Sequence, residues 1–429
     1  MYERGGAGSL LGYYTGVNDF VISDTDTEVL RELAKKLNDF ACRPQNESKA
    51  TLWHDHNALR TKQPVIFCDP ENGWNEIITQ SQLKCIGELA RKIEWLLLRE
   101  LFWAYEMGDD KPIENWFSVP FLYDETSWGF DFTAVQDPGG GWHVNPQLID
   151  YEKQMSQLKY PQLNIDRDRS DQLLEAIQTA IGSILKVRRK HIWWWSLATK
   201  EGFCDVLFFL RGLTNLMLDM YDHPDHLHEL MSFLRDVNLQ RLDYLEKNHL
   251  LFSNTDGTYV CSGALGYSDE LQAADPEKIT PMDMWGFSES QITVGISPEM
   301  FAEFILPYQI PLLERFGLNG YGCCENIDKR WDHIKAIPRL RRVSVSQWSD
   351  HDKMEELLGD KYIYSSKPSP SSLAVSNIDE DSIRKWLRRE VQRSKNCVLE
   401  IVMKDNHTIG KNPQNVIKWC QIAREEIMR

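Results

Sequence analysis

From about residue 157 the chain alternates between two hydrophobic periods. Helix-like stretches with apolar positions three or four apart are predicted at 171–183, 206–220, 224–248, 298–316, 327–337, 351–358, 379–392 and 412–428. Short strand-like runs lie between them, at 192–195, 258–262, 282–287, 320–324, 343–347, 362–365 and 397–403. Strands that alternate with helices make parallel βαβ units, and about eight such units predict an α/β fold of the (β/α)8 TIM-barrel type. A doubly wound open sheet is the second choice, and no G-x-G-x-x-G fingerprint supports it. Upstream, 27–40 carries Val29, Leu30, Leu33 and Leu37 on one helical face, with Asp24 or Thr25 as cap. Residues 64–68 read as a short strand-like run. A long helical pattern fills 81–106, and 115–145 reads as irregular, aromatic and glycine-rich. The predicted organisation is a helical extension over 1–145 packed on a barrel over 146–429.

Composition narrows the function classes. The 429 residues carry a formal net charge of -16, which removes the electrostatic basis for non-specific nucleic-acid binding. The longest apolar runs are far too short to span a bilayer, and residues 1–6 show no apolar signal core. Nine scattered cysteines, an odd number, suit reduced thiols in a cytoplasm better than a disulfide framework. Fifteen tryptophans are mostly expected in the core, but Trp128, Trp142, Trp285 and Trp348 stand beside glycines or polar residues in predicted loops. There they could form aromatic walls around a ligand.

The densest chemistry follows the strand-like run at 320–324, where Cys323, Cys324, Glu325 and Asn326 are adjacent. Thiols, carboxylates and imidazoles are zinc-ligand types, and barrel active sites sit at the C-terminal strand ends. Cys324 is the first candidate ligand, with Cys323, His407 and Glu289 as further ones. The alternative is two ordinary buried thiols and a loop histidine. Glu289, after the 282–287 run, is a candidate ligand or general acid–base; the alternative is a capping or solvated carboxylate. Trp142, His143 and Asn145 follow a triple glycine and are candidates for substrate binding, as are Trp285, Asn326, Trp348 and Lys367; a mobile loop is the alternative for the 142–145 group. The histidine-rich segment 222–228 has ligand-like spacing, but Pro224 reads as a helix start toward the opposite face, so it is not taken as a site.

Two stretches, LFFLRGLTNLMLDMYDHPDHLHEL at 207–230 and ISPEMFAEFILPY at 296–308, resemble the uroporphyrinogen decarboxylase superfamily of TIM barrels. The resemblance covers roughly 145–429 and points to its cobamide-dependent methyltransferase branch. The decarboxylases' Arg-rich N-terminal motif has no counterpart in 1–145. The methyltransferases carry His-x-Cys followed by Gly-Asn; here Cys324, Glu325 and Asn326 stand in the Cys-Gly-Asn place, while Gly322 stands where the family has histidine. Asp405, Asn406 and His407 stand near the family's last cysteine, so His407 could complete a ligand set.

The resemblance implies a zinc-dependent transfer of a methyl group, for example from a methyl ether (O-demethylation), to the cobalt of a separate corrinoid protein. In this reading the cobamide arrives on that partner. A homodimer is compatible with this reading. Two other classes stay open: a metal-free lyase or hydrolase with Glu289 and Glu325 as acid and base, and a non-catalytic small-molecule binding protein.

Overall fold

In the computed structural model, residues 14, 16–17, 19–130, 134–136, 142–191, 193 and 203–429 are described. Eight strands matter for the site: β1 (Val65–Cys68), β2 (Trp116–Val119), β3 (Lys186–Arg189), β4 (Trp285–Ser288), β5 (Leu318–Tyr321), β6 (Leu340–Val345), β7 (Ile363–Ser366) and β8 (Val398–Met403). Six of them form one parallel sheet in the order β1-β8-β7-β6-β5-β4. The other two, β2 and β3, pair in parallel with each other. Strands β5, β7 and β8 are buried at every position, as expected when both faces of a parallel sheet are covered.

The six-stranded sheet curls. Strands three places apart in a flat sheet lie about 14 Å apart, yet Lys404, directly after β8, reaches to 3.8 Å from Cys323, which follows β5. Side chains on the inner face meet across the curl: Arg342 of β6 reaches past β7 to Glu400 of β8.

Side chains span the two gaps between the six strands and the β2–β3 pair. On one side, Ile66 N–H donates to Asp110 Oδ2 (2.8 Å) and Cys68 N–H to Asp109 Oδ2 (3.0 Å). On the other, Arg188 and Lys190 hold Asp256, while Asn254 exchanges two hydrogen bonds with the backbone of Trp285. Among the described residues no continuous ladder closes the eight strands, so the observed class is α/β with a six-stranded parallel sheet. Carboxylates and an amide bridge the seams, joined at the first by one backbone bond, Asp110 N–H to the Ile66 carbonyl (2.9 Å).

The expected boundary at residue 145 does not separate a helical extension from the sheet. Residues before it supply β1, which pairs with β8 at the far end of the chain, and β2. The helices Asp24–Ala41 and Glu88–Phe102 share one apolar core with the strands, through Leu30, Leu37, Leu89 and Ile93 beside Val65, Ile401 and Val402. Asp26 joins the segments, accepting from Ile86 N (2.8 Å) and Gly87 N (3.0 Å). The expected strand 192–195 lies mostly outside the described residues; just before it a strand forms at Lys186–Arg189. Among the described residues no helix is long and apolar enough to cross a membrane.

Candidate functional site

At the end of β5 the chain turns through Gly322, whose φ is +92°. A Cβ there would lie 2.7 Å from Ile327 Cδ1. The backbone conformation thus selects glycine at the position where the resembled family carries histidine. Gly322→Ala is expected to lower stability by about 1–3 kcal/mol, read as a lower urea midpoint; an unchanged midpoint would refute the strain.

The turn presents Cys323 and Cys324 at the strand ends. Glu325, fully buried, holds the turn in place. Its Oε2 accepts from Cys323 N (2.8 Å) and its Oε1 from Ser290 N (2.7 Å), which ties this loop to the one after β4. Ser344 Oγ donates to the Cys323 carbonyl and Ser346 Oγ to that of Glu325. Glu289 is also buried: its Oε2 accepts from Gln291 N (2.6 Å), and its carbonyl accepts from Gln309. Both carboxylates are therefore engaged with loop backbone.

The sulfurs of Cys323 and Cys324 are 3.7 Å apart. Lys404 Nζ lies 3.8 Å from Cys323 Sγ and 2.9 and 3.1 Å from the two Asp405 oxygens; Cys324 Sγ lies 3.8 Å from Asp405 Oδ2. The Cys324 thiol beside it and, against burial, the Lys404 ammonium hold the Cys323 thiol down to about 6. Cys324 is pushed up, first by the Cys323 sulfur beside it. Burial alone would lower Lys404, but Cys323 and Asp405 outweigh it and hold the ammonium charged. Close by, burial raises the Glu71 carboxyl to about 8 against the pull of Lys404. Burial also lowers Lys367 to about 8, with Glu400 opposing; its ammonium donates to Ser365 Oγ. Gly263 (φ +94°) makes room: a Cβ there would meet Tyr259 Oη at 2.6 Å and Lys404 Cδ at 2.9 Å.

The other candidates are dispersed. Trp285 is buried, donating to Gly266 O with Arg342 over its ring, so it is a core residue. Trp348 is exposed. Asn326 stands at the N-cap position of the helix Ile327–Ile334 without a side-chain capping bond, and lines a hollow with Val294, Lys329 and Arg330. Asn145 is exposed, and the side chains of Trp142 and His143 lie outside the described residues. His407 is exposed on the loop after β8.

Among the described residues no three His, Cys, Asp or Glu side chains gather as a metal site, so the expected set of Cys323, Cys324, Glu289 and His407 is not assembled. The nearest grouping, two thiols and Asp405, already holds the Lys404 ammonium, whose charge opposes a second cation. This donor set does not fit a three-ligand zinc centre. Lys404 and Glu71 were not singled out from the sequence. Lys404 had a usable signal, since it directly follows a strand on the side where such sites form. Glu71 had none, because its protonation follows from burial.

No protein-family model and no curated protein matches the chain. Among solved structures, a methyltransferase from Methanosarcina mazei is similar, with 13% identity and a TM-score of 0.39, over 67% of this chain and 72% of that one. At that distance the likeness assigns neither fold nor activity.

Proposed function

We propose that this protein is an enzyme that moves a methyl group from a small methylated substrate, such as a methyl ether, at the strand ends carrying Cys323, Lys404 and Glu71. One observation carries this reading: the Lys404 ammonium lies 3.8 Å from Cys323 Sγ and 2.9 Å from Asp405, and the Glu71 carboxyl, raised to about 8 by burial, feels that same ammonium. An ether oxygen leaves poorly as an alkoxide, and an acid still protonated near neutrality lowers that barrier. In the version this chain can perform itself, the Cys323 sulfur forms a bond to the methyl carbon. The carbon–oxygen bond breaks, and the Glu71 proton goes to the leaving oxygen. Lys404 holds the thiolate before attack, and Cys324 donates toward it.

The fuller proposal rests on the family resemblance. In it the eight strands are a TIM barrel whose seams side chains close, and the onward acceptor is the cobalt of a separate corrinoid protein. Zinc would require His407 and the Lys404 side chain to move. The lyase or hydrolase reading is less well supported, since Glu289 and Glu325 each accept backbone N–H bonds that position loops.

The test is incubation of the full chain with isotopically labelled methyl ethers, methylamines and methyl thioethers, with and without free cob(I)alamin. Label is expected on Cys323 or in methylcobalamin, reduced about a hundredfold in Cys323→Ala and at least about tenfold in Glu71→Gln. Absence of transfer from all three donor classes would overturn the reading. Metal content after anaerobic purification decides the zinc part independently.

A further inference from the structure

We propose that Cys323 and Cys324 are a redox-active vicinal thiol pair, which a small organic disulfide or a hydroperoxide oxidises to a disulfide within this one loop. This inference goes beyond methyl transfer and does not depend on it.

Five observations converge. The two sulfurs are 3.7 Å apart, within reach of a bond of about 2.05 Å, and because adjacent Cα atoms lie only about 3.8 Å apart the ring so closed is strained and readily reduced again. The Lys404 ammonium lies against Cys323 Sγ and favours its thiolate, the attacking form. The Asp405 carboxylate lies 3.8 Å from Cys324 Sγ, where it can take the proton of the second thiol. Cys324 is exposed and Cys323 partly so, whereas Cys68, Cys85, Cys261, Cys397 and Cys420 are buried. Glu325, anchored on the far side of the turn, keeps both sulfurs at the strand ends.

The chemistry balances for either oxidant. With a disulfide, the Cys323 thiolate attacks one sulfur, the sulfur–sulfur bond of the oxidant breaks and one thiolate leaves. Cys324 then gives its proton to Asp405 and attacks the Cys323 sulfur, expelling the second thiolate. With a hydroperoxide, a sulfur–oxygen bond forms as the oxygen–oxygen bond breaks, and an alcohol leaves. Attack by Cys324 on the resulting sulfenic acid expels water. The protein is oxidised by two electrons and the oxidant is reduced by two. The product ties up the Cys323 sulfur, so oxidation would silence any nucleophilic role of Cys323.

The test uses the full chain, reduced and then freed of reductant, exposed to graded oxidised glutathione or hydrogen peroxide. It is then alkylated, digested and weighed. The peptide holding both cysteines is expected to be lighter by two hydrogens and closed to iodoacetamide until reduced again. Cys42, also exposed, should remain alkylatable under the same conditions. Cys324→Ser should stop at a glutathione adduct on Cys323. Both sulfurs remaining alkylatable would overturn the proposal, as would a stable adduct on Cys323 in the wild type or a disulfide between two chains. The wild-type measurement stands whether or not the variant folds.

Discussion

Arg342→Met is expected to lower the stability of the fold by about 3–5 kcal/mol, because it strands a buried carboxylate. Arg342 donates from Nε (3.0 Å) and Nη2 (3.2 Å) to Glu400; Ser365 Oγ also donates to Glu400, and His56 Nε2 lies 3.2 Å from it. Arg342, Glu400 and His56 are almost wholly inaccessible. Burial alone would raise the Glu400 carboxyl, but Arg342 and then His56 hold it below the ordinary carboxylate range. Burial lowers His56, against the pull of Glu400. The signs of the pH dependence then differ between the two proteins. In the wild type Glu400 is depressed on folding. Its contribution is therefore present above the unfolded value, about 4.3, and is lost as pH falls through the folded one. Without Arg342 the desolvated carboxyl is raised instead, so its stability is present at low pH and lost as pH rises. Urea unfolding at pH 5 and 8 should show the variant more stable at pH 5, with no such gain in the wild type. Equal pH slopes would refute the account. Arg342→Met with Glu400→Leu should recover most of the loss, since an apolar pair of similar volume leaves no buried charge.

The same network shows why part of this fold was hard to read in advance. The helix Pro44–Asn57 was not predicted, because the residues it turns inward include Asn46, His56 and Asn57, which bond to backbone or buried charge and leave no apolar stripe. Where apolar period and burial agree, sequence and structure coincide, as at His351–Leu358, where Met354 and Leu358 face inward. The predicted helix at 298–316 is two, Pro298–Phe304 and Leu306–Leu313, divided next to Pro307, which has no N–H to continue the ladder. β2 lay inside the stretch read as irregular: four residues ended by Pro120 carry too little alternation, and the strand exists because β3 pairs with it from 70 residues away. At the site, strand-end position revealed Cys323, Cys324 and Glu325. Ligand chemistry then drew attention to His407 rather than to Lys404, three residues earlier. The Cys323–Lys404 contact spans 81 residues and depends on the curl of the sheet, which local sequence does not encode.

Alkylation of Cys323 is expected to titrate near pH 6 in the wild type and far higher once its supports are removed. The Cys324 thiol is the first support and Lys404 the second, with burial opposing both, so Cys324→Ala and Lys404→Met should each raise the titration, toward the ordinary 9.0. A full return would cut the thiolate fraction at pH 6.5 by about 200-fold. A more basic thiolate is also a better nucleophile, and over three pKa units this returns about 20-fold. The net expectation at pH 6.5 is a rate about tenfold slower than wild type. Above pH 10 both proteins are fully thiolate, and the intrinsic term alone remains, so the variant should react about 20-fold faster. The two pH–rate profiles must therefore cross. A general loosening of the loop would raise reactivity at every pH, and a collapse of the site would lower it at every pH. Only a change in thiolate stabilisation reverses sign. Iodoacetamide rates at Cys323, followed by peptide mass between pH 5 and 10, decide it: parallel profiles would remove the ion pair from the explanation, and a wild-type midpoint near 9 would remove the nucleophile from the proposed function as well.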